Sequence, residues 1–173
     1  MTFFEPHQLM TLSDALDIAE DATGNHFKFS LGQWKNHRYD VKTLSSMDGY
    51  EVNPVALAVL NKGKTIMDGF GSKAKNLDFY LICLQDPLIL KVLERDRNLS
   101  LMALLVYVFT HELVHIVRFC NFFQRFDAHE EEKIREEKVV HRTTFEILRK
   151  LSLPSLDYVL DSYENHRMCN LLF

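Results

Sequence analysis

The sequence predicts an α+β domain, with a small sheet in its N-terminal half packed on a helical C-terminal half. Three observations point that way. Between residues 26 and 84, short apolar runs alternate with polar residues and are punctuated by Gly and Pro, the pattern of strands. From residue 86 onward the apolar spacing is that of helices. Within that second half the run 99–119, LSLMALLVYVFTHELVHIVRF, is too long for an ordinary strand and contains no helix breaker. At 173 residues, with 47% hydrophobic content and 13 Phe, the chain can bury the core of a single domain, 1–173.

Taken in order, residues 11–23 read as an amphipathic helix capped by Ser13, with Leu12, Leu16 and Ala19 inward and Gly24 as its stop. Residues 26–34 alternate Phe27, Phe29 and Leu31 against polar neighbours, which predicts a half-buried strand. Asp48-Gly49 and Asn53-Pro54 mark turns after a strand-like stretch at 39–44, and 54–60 is compatible with helix or strand. Further turns are expected at Lys62-Gly63 and Asp68-Gly69, around a short strand at 65–67. The best strand is 77–84, LDFYLICL. Asp86-Pro87 starts a helix, cap then first-turn proline, and Asn98 is the expected cap of the apolar helix that follows. Residues 129–151 form a strong helix with acids early and bases late, and a last helix over 155–168 follows the Leu153-Pro154-Ser155 break.

Bulk composition excludes some partners. A formal net charge of −4 offers no general attraction to nucleic acid or anionic membranes. The cluster Lys62, Lys64, Lys73 and Lys75 has no interleaved aromatic platform and reads as a solvated loop. Cys83, Cys120 and Cys169 form no CxxC pair and sit in apolar surroundings, so free buried thiols in a reducing compartment are expected. The opening MTFFEPHQLM has neither a basic start nor an apolar run, which predicts a cytoplasmic protein without a secretory signal.

The apolar helix carries the chemistry. His111 and His115 are four residues apart, so their imidazoles lie one above the other and can address a common atom. Glu112 lies about 100° around the axis from His111, within reach of a water at that atom without being a ligand. A shuffled chain of this composition would contain His-Glu-x-x-His roughly 0.03 times, so coincidence is a weak explanation. Burying two imidazoles and a carboxylate without partners would cost several kcal/mol, and something must compensate them. The bland alternative is a pair of satisfied core histidines with a salt-bridged Glu.

The segment 108–117, VFTHELVHIV, resembles the active-site helix of the zincin metallopeptidases. The resemblance covers about a third of the chain. It implies a zincin-like fold in which His111 and His115 bind Zn2+, Glu112 is the general base on a water held by the metal, and a third ligand lies downstream. The extended motif HExxHxxGxxH is absent, because Arg118 and Asn121 stand where its Gly and last His would be. The gluzincin subgroup takes a Glu from the next helix instead. At 100° per residue Ile134, Val140, Thr144, Ile147, Leu148 and Leu151 share one arc, and Glu137 falls inside it. Glu137 is therefore the expected third ligand, with Asp127 and His129 ranked behind it. Glu130, Glu131, Glu132 and Glu136 are expected on a solvated face. His141 occupies the position where gluzincins place an Asp or Asn that supports a ligand histidine.

Two imidazoles and one carboxylate leave an open position, as catalytic rather than structural zinc sites do. Ligand type favours zinc among divalent ions, and nickel, cobalt or manganese could occupy the same site. The resemblance also implies a donor for the oxyanion from the region after the third ligand, where Tyr163 and His166 are available. The expected function is a zinc-dependent hydrolase, a gluzincin-like peptidase acting on a peptide or protein, with no nucleic-acid or membrane partner and with a regulatory partner protein as one way to restrain it. Intramembrane proteases carry the same motif on a hydrophobic helix, but no second comparable segment exists here to shield it. The competing class is a non-catalytic binding or regulatory protein that keeps the fold.

Overall fold

Helix α4 (Leu101–Cys120) runs through the middle of the computed structural model, which describes residues 3–36, 38–66, 76–121 and 125–166. Every residue from Ala103 to Val117 in it is buried. A helix apolar on all sides must be surrounded, and α4 is packed by α1 (Pro6–Phe27), α5 (Glu130–Leu148), α6 (Leu156–His166) and the edge strand β2 (Ala58–Ile66). Among the described residues it is the one helix long and apolar enough to cross a membrane, yet 83% of that window is buried inside the protein. Its cap is Ser100, whose Oγ accepts from Ala103 N at 3.1 Å, and not Asn98.

Helix α1 is longer than its sequence pattern suggests. It starts at Pro6, which tolerates the first turn, with Glu5 N–H donating to Gln8 Oε1 at 2.8 Å. It also runs through Gly24 to end at Lys28, in the left-handed region with φ 55°. Ala15, Ala19 and Ala22 are buried in α1. Gly24 serves close packing: a Cβ there would stand 3.1 Å from Trp34 Nε1. Residues 26–34 consequently form no strand. Phe27 closes α1, and α2 (Leu31–Asn36) follows, opened by Ser30 Oγ accepting from Gln33 N at 3.2 Å while Ser30 N donates to Gln33 Oε1 at 2.7 Å. Phe29 and Trp34 are both buried and meet edge to face, so their apolar character serves a helical corner.

The sheet has three strands in the order β1-β3-β2, where β1 is Arg38–Lys42 and β3 is Asn76–Leu84. β1 runs parallel to β3, with Lys42 opposite Cys83. β2 runs antiparallel to it, from Ala58 opposite Leu84 to Ile66 opposite Asn76. Lys62-Gly63 is thus not a turn. Gly63 sits inside β2 opposite Phe79, whose ring would meet a Cβ at an ordinary 3.6 Å. The turn expected at Asp68-Gly69 lies outside the described residues. Because β3 is central, its backbone is paired on both sides, and the free edges belong to β1 and β2.

Helix α3 (Asp86–Arg95) begins with Pro87 in its first turn, as read from the sequence, but Gln85 is its N-cap. Asp86 is buried and tethers two other segments: its Oδ2 accepts from Phe4 N at 3.2 Å and its Oδ1 from Leu44 N at 3.1 Å. On α5 the buried apolar positions are Val140, Ile147 and Leu148, with Thr144 among them, whereas Ile134 is 52% exposed. The observed class is α+β, helix-rich with one small sheet.

Candidate metal centre

Two helices build the site. On α4, His111 and His115 are sealed from solvent, with ring centroids 5.0 Å apart and planes 70° apart. The His115 ring stacks on Phe119 (5.9 Å, 20°), and Phe119 stacks on Tyr80 of β3 (5.9 Å, 14°), so an aromatic column rooted in the sheet sets one imidazole plane. From α5, Glu137 reaches between the two rings. Its Oε2 lies 3.4 Å from His111 Nε2 and its Oε1 2.9 Å from His115 Nε2.

Both ring nitrogens of His111 and both oxygens of Glu137 are buried and make no hydrogen bond of acceptable geometry to a described residue. Buried polar atoms without such a bond call for an explanation, and a water or an ion is one. One donor atom from each of His111, His115 and Glu137 lies within 4.8 Å of the others. His111 meets one carboxylate oxygen of Glu137 and His115 the other, so the carboxylate bridges the two imidazoles. Two neutral nitrogens and one carboxylate oxygen also match a catalytic zinc site with one position left for water. The three residues could hold a divalent metal ion.

Electrostatics point the same way. Burial works against a charged Glu137, but His111 and His115 outweigh it and hold its carboxyl low, at about 2. Burial also opposes a charged His111, yet Glu137 wins and raises it. His115 is lowered, by burial first and by His111 as well. A divalent ion bound there would compete with protons for these donors. Glu112, 2% exposed and with no hydrogen bond to a described residue, is pushed up to about 7 by burial, with Glu137 adding and His111 subtracting.

The other expected site residues are distributed differently. Tyr163 is buried on α6 and stacks on Tyr107 (4.6 Å, 19°), whose ring is 6.3 Å from that of His111. His166 closes α6, and its side chain lies outside the described residues. Asp127 and His129 are exposed and do not join the group; Asp127 faces Arg125 at 3.6 Å. Glu130, Glu131 and Glu132 occupy the exposed first turn of α5, as expected of a solvated acidic face. His141 contacts Tyr107, with Nδ1 3.2 Å from its hydroxyl. Burial and the neighbouring His111 lower its pKa.

Glu136 departs from its expected place on the solvated face. It is 5% exposed and accepts from Arg118 of α4 through both oxygens, from Nε and from Nη2, the latter at 2.9 Å. A lone Arg in the last turn of an otherwise apolar helix was the available signal for this pair. Cys83 and Cys120 are free thiols, and Cys169 lies outside the described residues. Comparison of the chain with family models, with curated proteins and with solved structures finds no match.

Proposed function

We propose that this chain is a zinc-dependent hydrolase of the zincin type, gluzincin-like in its third ligand, and that it cleaves peptide bonds. The observation that carries the reading is the approach of the Glu137 carboxylate to both buried imidazoles of an HExxH helix, with its oxygens and the His111 nitrogens left unsatisfied. Zinc held there would polarise a carbonyl and acidify water to a pKa of about 7. His111 and His115, on a helix buried from Ala103 to Val117, would hold the ion with Glu137. Glu112, buried one position after His111 on α4, takes the proton from the attacking water and delivers it to the leaving amine. β2, an antiparallel edge strand that packs on α4, can add an extended peptide as a further strand. Tyr163 and His166 on α6 are the candidates for the oxyanion donor.

The test is metal content followed by one substitution. Elemental analysis of untagged protein should return about one zinc per chain. Glu112→Gln should keep that zinc while peptide hydrolysis falls by at least about 10²-fold. A chain that binds zinc and partners equally well with Gln at 112, and hydrolyses nothing in either form, would be a binding module instead.

A further inference from the structure

The two halves of α5 are held against the body of the protein by different means. Its C-terminal half buries Val140, Ile147 and Leu148, but between Glu130 and Val139 the sole buried residue is Glu136. The half that delivers Glu137 therefore has no apolar anchor of its own, and Ile134, which could have been one, faces solvent. What binds it to α4, beside the approach of Glu137 to the two imidazoles, is the Arg118–Glu136 pair, 18% and 6% exposed at the side chains.

We infer that Arg118 and Glu136 form a positioning clamp that seats Glu137 before any metal arrives, an inference that rests on the zinc-site reading above. Arg118 follows His115 by three residues and so projects from the same side of α4, one turn past the ligands. Glu136 is the immediate neighbour of Glu137 on α5. A guanidinium meeting a carboxylate through two parallel N–H···O contacts restrains rotation as well as separation, which a single point charge does not. Of two adjacent carboxylates, one is thereby matched to a cation of the protein, and its neighbour is left for a cation from outside. Because the ordering of that turn is accomplished in the folded chain, metal binding is spared its entropy.

The experiment compares wild type with Glu136→Gln and Arg118→Lys, well below the melting temperature of each. Zinc dissociation constants come from competition with a chromophoric chelator, geometry from the visible spectrum of the cobalt-loaded protein, and local order from amide exchange in the metal-free protein. Glu136→Gln is expected to weaken zinc by about 10- to 100-fold, the range for groups that orient ligands. Its cobalt spectrum should lose tetrahedral intensity, and amides of residues 131–139 should exchange faster while those of 144–148 do not change. Arg118→Lys keeps the charge, loses the fork, and should bind zinc several-fold more weakly. It carries the test alone if the Gln variant does not fold. A merely structural pair would lower the melting temperature and leave the dissociation constant and cobalt spectrum of the folded protein where they were, which overturns the clamp with the zinc site intact. Absence of zinc binding by wild type overturns both.

Discussion

Two buried carboxylates in this protein live in opposite circumstances. Glu51, 1% exposed in the short turn Gly49–Glu51, accepts from Lys42 Nζ at 2.9 and 3.0 Å and from Asp48 N at 2.8 Å. Glu137, also buried at its oxygens, meets the two imidazoles at ion-pair distance and makes no hydrogen bond of acceptable geometry to a described residue. The first is a charge whose needs the fold has met, so it contributes to stability. The second is a charge steadied by two imidazoles but left without a hydrogen bond of acceptable geometry to a described residue, an incomplete partnership that a bound cation would complete. Burial alone does not separate a structural carboxylate from a functional one; the completeness of its partners does.

Breaking each carboxylate should therefore give opposite results. The largest effect expected is Glu137→Gln: zinc affinity falls by about 100-fold or more, equivalent to about 2.7 kcal/mol, a larger loss than any in the stability of the metal-free protein. Chelator competition beside calorimetry reads both, and a metal-free variant much less stable than wild type would count against the contrast. Nearly as large, zinc at about 100 times its dissociation constant should stabilise wild type by about 2.7 kcal/mol and Glu137→Gln far less, measured by urea unfolding with and without metal.

A smaller and reciprocal effect is expected at the other carboxylate. Glu51→Gln should destabilise the metal-free protein by about 1–2 kcal/mol, through the loss of charge-assisted contacts in a buried place, and leave zinc affinity within twofold. The smallest effect is in pH. Burial by itself would raise the Glu51 carboxyl, but Asp48 N–H and Lys42 outweigh it, so its folded pKa lies below the ordinary 4.5. A carboxyl depressed in this way adds stability above its unfolded value and loses it as pH falls through the folded one. The gap in urea midpoint between wild type and Glu51→Gln should then be full at pH 6 and shrink toward pH 3; a gap constant with pH would show that Glu51 acts by packing alone.

How much of this could be read from residues alone varied with the range of the interaction. The apolar run 99–119 announces α4 because no other element tolerates so long a stretch, and the HExxH spacing follows from helical geometry within five residues. Glu137 lies inside the predicted apolar arc, and the structure turns it toward the histidines. Its neighbour Glu136, 100° away, is turned inward too, because Arg118 arrives there from another helix. Ile134 shares the arc and remains 52% exposed, with no described element covering it.

The glycines make the same point in the first half. Gly24 looks like a stop and Gly63 like a turn when only adjacent residues are considered. Trp34, ten positions on, makes one a packing contact inside a helix, and Phe79 across the sheet covers the other inside a strand. The alternation at 26–34 likewise satisfies a strand and a helical corner equally, and the Ser30–Gln33 capping pair decides between them.

Sequence by itself determined the α4 helix, the facing pair of histidines, the acid beside them and the central strand, all set by periodicity over a few neighbouring residues. Only the tertiary structure decided which carboxylates of α5 meet a cation, which strands lie at the sheet edges and where the first helix ends. Those outcomes depend on groups brought together from distant parts of the chain, and local propensity carries no information about them.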